Sequence, residues 1–284
     1  MTDKTNSTLV SDIYSVVKGQ GGWDKATSKA FSKDLKGLTL SRFTKEQGER
    51  RYLSMSGLGA SCKRKVWLRI NEPSNALSPK GSDLIKFFAG DFFESLMLHL
   101  AKAAGHSVTG EQDELILEGV RGHRDAVING VTVDVKTASP FSFRKFKEKK
   151  LSEDDPFGYL SQLSSYVAAA KDDPLVTDKE GGAFLVVNKV TGQLLYDYHK
   201  FDLSTKKEEI HKAKLMVTQD EPPPRLEPIP QYKTGKNLKL GIDCSNCYFR
   251  KKCWPEVRSF VYSKGVEHLV HVEVEPNVAE TYSD

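Results

Sequence analysis

Asn129-Gly130 stands between two β-prone runs, Ala126-Val127-Ile128 and Val131-Thr132-Val133. Asn-Gly is the pair that a two-residue type I′ hairpin favours, because both central residues need positive φ. A hairpin closed there pairs Ile128 with Val131, and that pair fixes the register of all the others. Asp125 then faces Asp134, and His123 faces Lys136. The alternation of a strand puts these four on one face and Ala126, Ile128, Val131, Val133 and Val135 on the other, toward a core.

Two carboxylates in direct opposition are destabilising, and something must offset that cost. A divalent cation does so, since hard cations take carboxylate oxygens. Lys136, two residues along on the same face, is placed to orient or deprotonate a water, or to stabilise charge on a phosphate. Taken singly, these charges read as a solvated hairpin face; the opposed register is what turns them into a candidate site.

The remaining pattern predicts helices near 62–70, 82–104, 156–171 and 203–218, and β segments over 107–137, 183–188 and 193–201. Residues 1–50 read as a partly helical peripheral segment, 51–260 as the main domain and 261–284 as an acidic tail whose stretch 266–275 alternates like an edge strand. Helices interleaved with strands predict an α/β (α+β) fold with a central mixed sheet flanked by helices. The 82–104 segment is apolar nearly all round and reads as a buried helix. Glu94 lies within it, and a carboxylate in that setting pairs, reaches solvent or binds metal. Gln162 and Tyr166, spaced i, i+4, share a helix face.

Composition narrows the class. With 38% hydrophobic and 28% charged residues the chain is neither disordered nor fibrous. No apolar run is long enough to span a bilayer, and the polar start Met1-Thr2-Asp3-Lys4 shows no signal peptide. Four cysteines are too few for a disulfide scaffold, so an intracellular protein is expected. Three of them form Cys244-x2-Cys247-x5-Cys253, and Cys62 lies far upstream. Four thiolates suit a structural zinc or a four-iron, four-sulfur cluster, and thiolate chemistry alone does not separate the two. The net charge of +4 is uneven, because residues 265–284 carry four Glu, one Asp and no Lys or Arg. The basic body holds three clusters: Lys63, Arg64 and Lys65; Arg144, Lys145 and Lys147; and Arg250 and Lys251. Such clusters are usually solvated surface, but here they flank the candidate site and suit a phosphate backbone. Phe141, Phe143, Phe146 and Phe157 interleave with the second cluster, where core packing is the commoner use and base stacking the alternative.

The series Gly90-x3-Glu94, Gly122-x2-Asp125, Asp134-x-Lys136-Thr137 and Gln162-x3-Tyr166, in that order, resembles the RecB-like branch of the PD-(D/E)XK nucleases. The cysteine frame resembles its iron–sulfur members, among them the AddB nuclease domain and the CRISPR-associated RecB-like exonucleases. The resemblance spans about 62–253. It implies a restriction-endonuclease-like core with a four-cysteine metal-cluster staple joining the N- and C-terminal flanks. It further implies Mg2+ or Mn2+ held by Glu94, Asp125, Asp134 and the Val135 carbonyl, with Lys136 as base or stabiliser and Gln162 and Tyr166 as positioning groups. The cluster would be held by Cys62, Cys244, Cys247 and Cys253. Many relatives carry histidine where Glu94 stands, a departure that bears on metal preference. The implied activity is a metal-dependent DNA exonuclease in recombination, repair or DNA degradation, with a structure-specific endonuclease or a silent iron–sulfur DNA-binding subunit as alternatives. The implied partners are DNA ends or single strands, with a homo-oligomer or a recombination protein beside them and no membrane.

Overall fold

The structure, a computed structural model, describes residues 4–44, 48, 51–233 and 235–282. Residues 1–3, 45–47, 49 and 50 of the expected N-terminal segment, Thr234, and 283–284 of the tail lie outside the described residues. In chain order the elements begin with α1 (Leu9–Val17), α2 (Lys25–Thr44), α3 (Met55–Leu58), α4 (Lys63–Asn71) and α5 (Gly81–Ala103). Five strands follow: β1 (Val108–Thr109), β2 (Glu114–Leu117), β3 (Val120–His123), β4 (Ala126–Ile128) and β5 (Val131–Ala138). Next come α6 (Pro140–Lys147), α7 (Tyr159–Ala169), β6 (Gly181–Asn188), β7 (Leu194–Lys200) and α8 (Lys206–Val217). The chain then runs through β8 (Ile229–Pro230), β9 (Leu238–Lys239), α9 (Ile242–Ser245), α10 (Arg250–Cys253), β10 (Arg258–Tyr262), β11 (Gly265–His271) and β12 (Glu280–Thr281).

These elements form two compact units: Met1–Gly48, Ser54–Gly59 and Lys80–Ala213 make the first, and Glu49–Leu53, Ala60–Pro79 and Lys214–Asp284 the second. The first is a mixed α/β unit around a mixed sheet of order β1-β4-β5-β6-β7. Only β5 and β6 run parallel, and the other neighbours are antiparallel. The hairpin closes as its turn chemistry demands. Asn129 and Gly130 have φ of 49° and 79°, and Ile128 pairs with Val131 and Ala126 with Val133. Ala126, Ile128, Val133 and Val135 face a core built with Leu9, Ile13 and Val16 of α1 and Met97, Leu98, Leu100 and Ala101 of α5. Phe143 and Phe146 of α6 and Leu163 of α7 cover the opposite face against Phe184 and Val186.

Several expectations need correction. The segment before residue 50 is not wholly peripheral: Leu9, Ile13 and Val16, spaced as one helix stripe, are buried. The long helix α5 is fully buried only over Met97–Ala101, and Ile85 and Phe87 near its start are exposed. Helix α6 is absent from the sequence reading, although Ser139 caps it and Pro140 opens it, a pairing that favours a helix start. Among the described residues no helix is long and apolar enough to cross a membrane.

The second unit carries an antiparallel sheet of order β12-β10-β11-β9-β8. The expected edge strand is β11, and it lies inside that sheet between β10 and β9. Burial of Phe260 and Leu269 accounts for this placement. Nor do the tail's carboxylates form a free acidic arm. Glu267 pairs with Lys239 at 2.5 Å, Glu273 with Lys236, and Arg258 with both Glu275 and Glu280 at 2.6 Å.

Candidate active site

The candidate site is built on β5, which lies between β4 and β6 in the sheet and is covered by helices on both faces. Asp134 is 1% exposed and forms an ion pair with Lys136, whose side chain is 17% exposed. The ladder between β4 and β5 ends at Ala126–Val133, and Asp125 stands just beyond it. Its Oδ2 accepts the Val135 N–H at 2.7 Å, so the two aspartates are neighbours as the register requires. His123 does not face Lys136. It pairs instead with Glu114 in the separate β2–β3 hairpin.

Arg124 explains that divergence. Its guanidinium is 1% exposed and is held by Asp113 at 2.7 Å and Asp173 at 2.6 Å, and its Nε donates to the Gly110 carbonyl at 3.1 Å. Burying this side chain turns the strand away from the ladder between His123 and Ala126, and it leaves the Asp125 carboxylate beside β5. Gly110, at φ 59°, is needed here, because a Cβ would collide with the Arg124 guanidinium.

Glu94 approaches from α5 and accepts from Gln112 Nε2 at 2.5 Å. Gly90, one turn earlier, brings α5 near Thr137, whose Oγ1 is 4.0 Å from where a Cβ would be. Burial, with the charges of Asp134 and Asp91, pushes the Glu94 carboxyl up to about 7. Burial and the charges of Asp134 and Glu94 likewise hold the Asp125 carboxyl well above the usual carboxylate range. Lys136 goes the other way. Burial opposes its charge, but Asp134 and Asp125 more than offset that and raise its pKa, keeping the ammonium protonated. Three carboxylates therefore crowd one lysine, and two of them resist ionising.

Gln162 Nε2 donates to the Tyr166 hydroxyl at 2.7 Å on α7, as their shared face predicts. Tyr166 is 3% exposed and packs against Gly122, where a Cβ would lie 2.7 Å from its Cε1. Tyr159, absent from the sequence reading, places its ring 4.9 Å from Lys136 Nζ. A signal existed: Tyr159 lies three residues before Gln162 and seven before Tyr166, on one helix face.

Among the described residues no three His, Cys, Asp or Glu side chains are grouped as around a metal ion. The donor chemistry nonetheless fits a hard cation. Buried carboxylates that repel one another would lose that repulsion with a divalent ion between them, and Asp134, Asp125 and Glu94 are the residues that would hold it. Glu94→Gln isolates the effect. Between the ordinary carboxylate value of 4.5 and about 7, the folded chain binds a proton that the unfolded chain has lost. Stability therefore falls as pH rises through that window. Without divalent cations, Glu94→Gln is expected to match wild type at a pH of about 4.5 and to exceed it by about 1–3 kcal/mol at a pH of about 8, read by thermal denaturation. An equal gain at both pH values would contradict the assignment.

An open cavity of about 620 Å³ between α2 and α5 exposes Glu94, and Asp34, Asp91, Glu111 and Lys33 also line it. Asp91 is paired there with Arg42 and Glu111 with Lys102, so the carboxylates of the lining are largely matched by basic side chains.

In the second unit all four cysteines line one pocket. Cys62 caps α4, where its Sγ accepts the Lys65 N–H at 3.4 Å, and Cys247 Sγ accepts the Phe249 N–H at 3.4 Å. Burial and the neighbouring thiols push Cys244 up to about 11, and burial raises Cys62 and Cys247 as well. Four thiols around one pocket, with backbone N–H donors on sulfur, fit a thiophilic metal or cluster by donor type.

The basic clusters divide. Lys63, Lys65, Arg144, Lys147 and Lys251 are exposed. Arg64 donates to the Pro223 carbonyl at 2.8 Å, and Lys145 pairs with Asp154. Arg250 is buried and donates to the Ser245 carbonyl at 2.7 Å. It closes its own loop rather than standing on the basic surface that the sequence suggests. Of the four phenylalanines, Phe143 and Phe146 are core, while Phe141 and Phe157 are exposed.

Fold and site together define a mixed α/β unit with an Asp-Asp-Glu-Lys cluster gathered around the buried Asp134 of its middle strand. Neither a protein-family model nor a curated protein matches the chain. A solved structure described as "Crystal structure of SSO0001" is similar over 77% of this chain and 93% of that one, at 14% identity and a TM-score of 0.39. A likeness that slight carries no argument about function.

Proposed function

We propose that the chain is a divalent-metal-dependent deoxyribonuclease with a PD-(D/E)XK core, acting as an exonuclease on DNA ends. The observation that carries this reading is the buried Asp134–Lys136 pair beside Asp125 and Glu94, whose carboxyls resist ionisation in the absence of a cation. A cation held by Glu94, Asp125 and Asp134 would polarise a phosphodiester and make a water acidic enough to attack it. Lys136, kept cationic by its acidic neighbours, stabilises negative charge growing on the phosphate. The Val135 N–H fixes the Asp125 carboxylate, and Gln112 fixes Glu94. Gln162 orients the Tyr166 hydroxyl toward the same strand. Exposed Arg144 and Lys147 on α6, which follows β5 directly, offer charge to a phosphate backbone.

End-labelled linear and covalently closed circular DNA, incubated side by side with Mg2+ or Mn2+, test the reading. Linear DNA should be degraded and circular DNA spared, with all loss stopped by a chelator. Equal cleavage of the circle would make the enzyme an endonuclease, and cleavage unaffected by chelation would remove the metal site.

For the cysteine pocket we propose a four-iron, four-sulfur cluster held by Cys62, Cys244, Cys247 and Cys253. The gathering of all four thiols around one pocket supports it. Protein purified without oxygen is expected to absorb broadly near ~400 nm and to bleach on reduction; a colourless, zinc-containing protein would replace the cluster with zinc.

A further inference from the structure

Phe157 is 59% exposed, yet the loop that carries it is tightly held. Asp155 caps α7 by accepting the N–H groups of Tyr159 and Leu160, both at 2.9 Å. Gly158 takes φ 71° and presses so closely on Gly59 that a Cβ would collide with the Gly59 backbone. An aromatic ring held on such a loop with more than half of its surface in water keeps one side open to a partner.

Its neighbours give it a direction. The Phe157 ring stacks on Tyr159 with centroids 5.4 Å apart and planes 26° apart. Tyr159 in turn stacks on core Phe146 at 6.2 Å and carries Lys136 Nζ at 4.9 Å. Phe157 is therefore the solvent end of the stack Phe157–Tyr159–Phe146, whose middle ring carries the lysine of the candidate site. Phe141 is also exposed, at 67%, but Lys145 Nζ lies 5.1 Å from its ring, an i, i+4 pair that needs no outside partner.

The charges around this ring favour a polyanion. Arg144 and Lys147 are exposed on α6, and α6 is tied to the same loop by the Lys145–Asp154 pair. Of the loop's acids, Asp154 is neutralised in that pair, Asp155 keeps its charge but is turned to the N-terminus of α7 by its cap, and Glu153 is exposed.

We propose that Phe157 is a positioning residue: it stacks on the unpaired base adjoining the phosphate at Lys136, with Tyr159 as the floor of the stack. The proposal rests on the nuclease reading, and it names the residue that sets the DNA strand in register with the site. Aromatic stacking tolerates any base, so it fixes position without selecting sequence.

Single-stranded oligonucleotides containing 2-aminopurine, mixed with the full chain in chelator, test it without cleavage. Wild type should quench the fluorophore, Phe157→Ala should bind about tenfold more weakly with the quenching lost, and Phe157→Trp should restore both. With Mg2+, Phe157→Ala should raise KM on single strands and leave kcat within about twofold. Equal quenching and affinity in Phe157→Ala and wild type, or no quenching by wild type, would overturn the proposal. So would unfolding of Phe157→Ala at the assay temperature, beyond the modest loss expected from its stack on Tyr159, since the ring would then serve the fold. Quenching that depends on Phe157 in a protein that cleaves nothing would leave the shelf standing and remove the nuclease assignment instead.

Discussion

Replacing Asp134 by Asn is expected to lower divalent-dependent DNA cleavage by about 10²–10³-fold or more while leaving DNA affinity within about threefold. The carboxamide keeps the shape of a side chain that is 1% exposed, so packing is preserved. What it removes is the charge that holds Lys136 and that, on the proposed nuclease reading, would draw the cation. Stability should move the other way or hold. Asp125 and Glu94 are both pushed up partly by the charge of Asp134, and one carboxylate fewer relaxes them, while Lys136 keeps Asp125 as counter-charge. Activity lost with Tm held or raised is the signature of a functional acid rather than a structural one. Cleavage and thermal denaturation on the same preparation decide it, and full activity in Asp134→Asn would falsify the site.

The second large effect falls on the fold. Arg124→Ala should destabilise the first unit by about 3–5 kcal/mol, because it empties a buried guanidinium site and leaves the largely buried Asp173 without its counter-charge. The expected fall in Tm is on the order of 10 °C. Arg124→Lys should rescue little. One ammonium is a point charge, whereas the guanidinium meets two carboxylates and the Gly110 carbonyl at once. A change below about 1 kcal/mol in either variant, measured by denaturant titration of the chain, would mean that Arg124 does not set the bend before Asp125.

Turn chemistry made the Asn129-Gly130 hairpin and its register legible, because a type I′ turn is decided by two adjacent residues. The same local logic found Gln162 and Tyr166, whose helix spacing brings them within a hydrogen bond. The register failed at His123 for a reason that no local pattern carries. Arg124 is buried by Asp113 and by Asp173, which lies about 50 residues downstream and is brought in by the tertiary fold. Helix α6 is readable from Ser139-Pro140 and the Phe143, Phe146 spacing, but in the sequence Arg144, Lys145 and Lys147 stand out only as a basic cluster. The tail misled in the same way. Counted along the chain it is a block of acid, whereas in space Lys239 meets Glu267, Lys236 meets Glu273, and Arg258 meets both Glu275 and Glu280.

The interleaving of the two units orders events on the ribosome. Ala60–Pro79 belongs to the second unit, whereas the first unit is complete once Ala213 has been made. Trp67 and Leu68, buried with Cys247 and Phe249 in the finished protein, therefore emerge long before these partners and wait for them through synthesis of the rest of the first unit. At roughly 5–20 residues per second that wait lasts on the order of ten seconds. Cys62 waits as long for its three companions. Nascent chains stalled before Cys244 would thus display a folded sheet and a helix α4 still without Cys247 and Phe249, making this interval the stage at which a chaperone has something to hold.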